Sequence, residues 1–129
     1  MIVVDTSTWI DHLRSNLNPS VSKLRDPALA YQIIIPVLVL MEVLQGAKDE
    51  KDAGRLETEL RKLPIVAIVS DPLMIKAARY YRIMRSFGFT MSKLADLLIG
   101  ACCIEHNHDL LHNDSDFAAM EKFYGLRVL

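Results

Sequence analysis

The sequence predicts an α/β fold, a parallel sheet of four to five short strands flanked by helices. Three observations carry this. The chain opens on a β-branched run, Ile2-Val3-Val4, which stops at an acid, Asp5, and passes through Thr6 and Ser7 into a helical pattern. Short apolar runs recur at 31–35, 65–69, 110–111 and 126–129. Helical stretches separate them, and strand–helix alternation is the signature of a parallel sheet. The 129 residues suit a single domain spanning 1–129, long enough to bury a core.

Each element has a local cause. The first helix runs from about Ser7 to Arg14, with Thr6 or Ser7 expected as its N-cap and Trp9, Ile10 and Leu13 on one face. Asn16, Asn18 and Pro19 end it, and Ser20 is expected to cap a short second helix that ends near Pro27. Pro36 closes the second strand. A third helix then runs from Val37 to Gln45 and stops at Gly46. A polar helix covers about Lys51 to Leu63 and breaks at Pro64. Ser70 and Asp71, with Pro72 at the first helical position, open a long helix that reaches Phe87, with Gly88 behind it. Ser92 is expected to start the next helix, which runs to about Asn107. A last helix, Phe117 to Phe123, follows Asp114-Ser115-Asp116 and ends at Gly125.

Composition excludes several classes. With 51% hydrophobic and 24% charged residues, the chain is a folded globular protein, not a disordered one. Fifteen basic against sixteen acidic residues give a net charge of −1, so global charge does not announce a nucleic-acid binder. Cys102 and Cys103 are adjacent and do not suggest a disulfide framework. No basic segment precedes an apolar run at the N-terminus, so no signal peptide is expected. The apolar stretch from Ile33 to Leu44 is interrupted by Pro36 and Glu42 and is too short to span a bilayer. A cytoplasmic location is the expectation.

The acids carry the chemistry. Ligands of open α/β sheets bind beyond the carboxyl ends of the strands, where Asp5 stands. Asp114 and Asp116 repeat that placement after Leu110-Leu111. Glu42 is the only charged residue between Ile33 and Ala47, on a helix so apolar that the carboxylate is expected to be buried. Asp96 lies in a second apolar helix, and at helical spacing Ser92, Asp96 and Gly100 share its one small, polar face. Taken singly, each acid has a structural explanation: a helix cap, a first-turn acid or a buried ion pair. Taken together they repel, and a hard divalent cation with oxygen ligands would make such a cluster tolerable.

These residues resemble the PIN-domain family and, within it, the VapC-type ribonuclease toxins of type II toxin–antitoxin pairs. The resemblance spans nearly the whole chain. It is carried by Val4-Asp5-Thr6-Ser7-x-Trp9-Ile10, Glu42-x-x-x-Gly46, Asp96-x-Leu98-Ile99-x-Ala101 and His112-Asn113-Asp114-Ser115-Asp116-Phe117. It implies a Rossmann-like parallel sheet and a Mg2+ or Mn2+ site built from Asp5, Glu42, Asp96 and Asp114, with Asp116 as a fifth acid. It also implies cleavage of single-stranded or looped RNA, a homodimer, and neutralisation by a small VapB-like antitoxin. Position 112, often threonine in the family, is histidine here.

The expected chemistry is metal-assisted phosphodiester hydrolysis, with Glu42 orienting or deprotonating the attacking water. Thr6, Ser7 and Ser92 are expected to hydrogen-bond a carboxylate or a phosphate oxygen, with helix capping as the alternative. Arg82, Arg85 and Lys93 are the expected phosphate contacts, against a plain solvated helix face. Cys102 and His106 are spaced for a shared zinc site, but no second pair exists to complete it. The rival class is a catalytically silent PIN-fold module that acts through protein contacts alone.

Overall fold

The computed structural model describes residues 1–129. Four parallel strands, β1 (Ile2–Val4), β2 (Ile33–Pro36), β3 (Ile65–Val66) and β4 (Asp109–Leu111), lie in the order β3-β2-β1-β4. Val3 pairs with Ile34 on one side and Leu110 on the other. The two central strands are buried along their length, as their unbroken β-branched sequences require. The strand expected at the C-terminus reduces to a single bridge between Leu110 and Val128. The second strand starts at Ile33 because residues Ala30–Gln32 form a 3-10 turn, and β3 stops well short of the exposed Val69.

Seven α-helices flank the sheet: α1 (Thr6–Leu13), α2 (Pro19–Leu24), α3 (Val37–Gln45), α4 (Glu50–Leu60), α5 (Asp71–Ser86), α6 (Leu94–His106) and α7 (Ala118–Tyr124). Three expected starts move. Asp5, not Thr6 or Ser7, is the N-cap of α1. The Asp5 N–H still bonds the Leu111 carbonyl at 2.9 Å in the sheet, so Asp5 is the last extended residue and its side chain takes the cap. Asn18 caps α2, with Pro19 at the first helical position, and this frees Ser20 to donate to the His112 carbonyl at 2.8 Å. Ser92 stands outside α6, which begins at Leu94 behind Lys93 with no side-chain cap. The expected start of α5 holds, because Ser70 accepts from Leu73 N–H.

The core closes around α6, where Leu97, Ile99, Gly100, Ala101, Cys102 and Cys103 are all buried. Gly100 allows a close approach, since a Cβ there would meet the Met120 sulfur at 2.4 Å and the Met120 side chain would have to shift. By contrast, α3 is not buried all round: Val39 and Val43 face the core while Val37 and Met41 are exposed. No helix is long and apolar enough to cross a membrane.

The strand order creates a cleft. β1 and β4 are neighbours, yet the chain leaves β1 towards β2 and leaves β4 towards the opposite edge. Such a divergence opens a crevice at the carboxyl ends of the two strands.

Candidate active site

The residues that follow these two strands are Asp5 and, three positions beyond Leu111, Asp114. Asp5 is 3% exposed. Its Oδ2 accepts from the Ser7 hydroxyl at 2.8 Å and from the Ser7 N–H at 3.3 Å, while its Oδ1 is buried with no partner. One residue on, Thr6 Oγ1 donates to Glu42 Oε1 at 2.8 Å. The first turn of α1 therefore holds two acids from separate elements. Glu42 is half-buried, not buried as expected, because the outer face of α3 is open to solvent.

Asp96 arrives from the first turn of α6 and is 5% exposed, with Oδ2 buried and unpartnered. Burial pushes its carboxyl up to about 6. The negative charge of Asp5 adds to this, as do Asp114 and Glu42, against the opposing charge of Lys93. Carboxylate oxygens of Asp96, Asp114 and Asp116 lie within 4.8 Å of one another. Asp114 Oδ1 accepts from Asp116 N–H at 2.9 Å, and Asp114 N–H donates to His112 Nδ1 at 3.0 Å.

The basic residues divide. Lys93 Nζ lies 3.7 Å from Asp114 Oδ2, and the charges of Asp96 and Asp114 hold its ammonium above the usual lysine range. Expected to meet a phosphate, Lys93 is drawn to the acids. Arg82 lines a groove between α5 and α6, and the Arg85 guanidinium sits 5.5 Å from the Tyr81 ring centroid. Ser92 is exposed.

Two buried carboxylate oxygens without hydrogen-bond partners carry a desolvation penalty, which at Asp96 the charge of Lys93 offsets only in part. A hard cation fits them: the donors are all oxygen, they come from rigid strand ends and helix starts, and half-buried Glu42 and exposed Asp116 leave the rim open to water. The alternative zinc pair does not form a site. The Cys102 thiol is buried and its pKa is raised by burial, and His106 Nδ1 contacts the Cys102 sulfur at 3.8 Å and the Cys102 carbonyl at 3.0 Å.

The sequence model of the PIN domain matches residues 2–123. The chain belongs to the PIN-domain family. A VapC ribonuclease of Mycobacterium bovis and ribonuclease VapC11 of Mycobacterium tuberculosis are each 31% identical to it over 131 aligned positions, which cover 99% of this chain and 97% of theirs. Among solved structures, VapBC2 of Rickettsia felis bound to promoter DNA superposes with a TM-score of 0.77 at 22% identity, covering 100% of this chain and 97% of that one. FitAcB of Neisseria gonorrhoeae gives 0.78 at 20%, covering 100% and 96%. These two likenesses are of fold.

In this PIN domain, sequence reasoning missed how the acids are held. The cap at Asp5 had a signal in the spacing Asp5-x-Ser7, an Asx-type pattern. The tie from His112 to Asp114 had none, because histidine at that place is silent until the loop is seen.

Proposed function

We propose that this PIN domain is a divalent-metal-dependent endoribonuclease that acts as the toxin of a toxin–antitoxin pair. The observation that supports it most is the group of Asp96, Asp114 and Asp116, whose carboxylate oxygens lie within 4.8 Å of one another, with Asp5 near enough for its charge to act on Asp96 and with a buried oxygen of Asp5 and of Asp96 left unpartnered. The names carried by its 31%-identical relatives support the substrate class and the biological role. Asp5, Asp96 and Asp114 would hold Mg2+ or Mn2+, with Glu42 and Asp116 beside them. Such a cation, when bound, supplies charge neutralisation at the scissile phosphate and a more acidic water.

The chain's own residues do the rest. Glu42, half-exposed and held by Thr6, is placed to take the proton of the attacking water. Ser7 fixes one oxygen of Asp5 and leaves the other free. Lys93 brings positive charge to the rim, and Arg82 and Arg85 offer it to flanking phosphates. A small antitoxin and a second copy are the proposed partners. A groove of about 310 Å³ between α1, α3 and α4, lined by Ile10, Leu13, Val43 and Leu56 with Arg14 and Lys48 at its rim, suits a mixed apolar and charged segment. Exposed Val37 and Met41, one turn apart on α3, are apolar surface suited to a dimer.

The test is Asp5→Asn and Asp96→Asn, assayed for Mn2+-dependent cleavage of single-stranded RNA. Both variants fold and both lose cleavage. Full activity in both ends the nuclease reading and favours the silent module.

A further inference from the structure

The loop after α5 turns on Gly88, whose φ is +86°. Gly88 N–H bonds the Arg85 carbonyl and Phe89 N–H bonds the Met84 carbonyl at 2.9 Å, the paired bonds of a Schellman ending. The turn brings Phe87 and Phe89, two positions apart, onto one ring of α7. Phe87 stacks on Phe123 at 5.3 Å between centroids, and Phe89 meets Phe123 edge-on at 5.2 Å. Two of these rings stay open to solvent, Phe87 at 64% and Phe89 at 39%. The Lys122 ammonium lies 5.5 Å from the Phe89 and Phe123 centroids and is paired with no carboxylate.

This cluster is continuous with the acidic site. A groove of about 230 Å³ runs between Phe89 and Met91 on one wall and Ser115, Asp116 and Ala119 on the other. Asp116 belongs to both the groove and the acid cluster. Solvent-facing aromatic rings beside an unpaired ammonium are what sequence-tolerant binding of single strands requires: a π-face for an unstacked base and a charge for its phosphate.

We infer that Phe87, Phe89 and Lys122 form a nucleobase platform that holds an unpaired nucleotide of single-stranded RNA one groove away from the acids. The inference rests on the nuclease reading for its substrate. The platform fixes which part of the strand enters the site, because a stacked base at Phe89 sets the distance along the backbone to Asp116.

The experiment is equilibrium binding of a fluorescein-labelled 12-nucleotide single-stranded RNA to the Asp96→Asn protein. Platform substitutions are then added to that background, with wild-type cleavage of the same RNA measured in parallel. Phe87→Leu with Phe89→Leu keeps apolar bulk, removes the aromatic faces, and weakens binding by roughly tenfold or more. Phe89→Trp retains binding. Lys122→Gln, at an exposed position, lowers the slope of log affinity against log salt by about 0.7. Unchanged affinity in Phe87→Leu with Phe89→Leu overturns the platform, whether or not wild type cleaves. A shift in oligomeric state with unchanged RNA affinity also overturns it and makes the rings a protein interface. If the double variant loses binding but wild type does not cleave, the platform stands and the nuclease reading falls. If nothing binds RNA, both fall.

Discussion

Thr6 and Ser7 are adjacent hydroxyls, and each holds a different acid. Thr6→Val removes the only hydrogen bond recorded to Glu42 and leaves the fold intact, so kcat falls about tenfold while KM stays close to its original value. Thr6→Ser restores the rate, and steady-state cleavage kinetics check both. At Asp96 the consequence is a pH dependence. The carboxyl is pushed up to about 6 in the folded chain from its ordinary value of 3.8, so the folded state binds that proton more tightly. Its stabilising contribution is complete below the unfolded value and is lost as pH rises through about 6. Metal-free protein is therefore more stable at pH 5 than at pH 7.5 by on the order of 1 kcal/mol from this group. The excess disappears in Asp96→Asn, and urea midpoints at the two pH values measure it. These residues were legible as acids, but their partners were not. Sequence shows that Glu42 interrupts an apolar run, whereas the hydroxyl that reaches it comes from 36 positions earlier.

At the scale of elements, boundaries were legible wherever two local signals agreed. Pro36 and Gly46 bracket α3, and the helix runs from Val37 to Gln45 between them. Around α1 the signals competed, since Asp5, Thr6 and Ser7 are all good caps. Only the backbone bond from Asp5 to Leu111, in a strand more than a hundred residues away, decides among them. Ser92 misled for the opposite reason: a good cap was present, but the loop from Phe87 to Lys93 is occupied by the turn at Gly88, and α6 starts without one. The packing of α6 yields its own expectation. Gly100→Ala forces a methyl against the fully buried Met120. Overpacking costs roughly 1–3 kcal/mol, offset by about 1 kcal/mol of helix propensity. The net effect is a lower thermal midpoint. Met120→Ala in the same chain opens the space and removes the extra cost of Gly100→Ala, which a double-mutant cycle reads directly.

Over the whole molecule, the near-neutral balance of 15 basic and 16 acidic residues conceals a local concentration. Asp5, Glu42, Asp96, Asp114 and Asp116 gather at one edge, with Lys93 the cation drawn among them. The bare fold carries that repulsion. Mn2+ at a hundred times its dissociation constant accordingly raises stability by about 2.7 kcal/mol, visible as an upward thermal shift. The shift is lost in Asp5→Asn and Asp96→Asn. The fold class was readable because strand–helix alternation is local in sequence. Convergence at the edge was legible only as strand ends that could meet and as a motif resemblance, because strand order 3-2-1-4, which sets the end of β1 beside that of β4, is not local in sequence.

Asp5 both starts a helix and stands among the acids, and the two duties differ in what they ask of it. Asparagine caps as well as aspartate but has no charge. The codons for the two residues differ by one base, so a single-base change removes the charge and keeps the helix start.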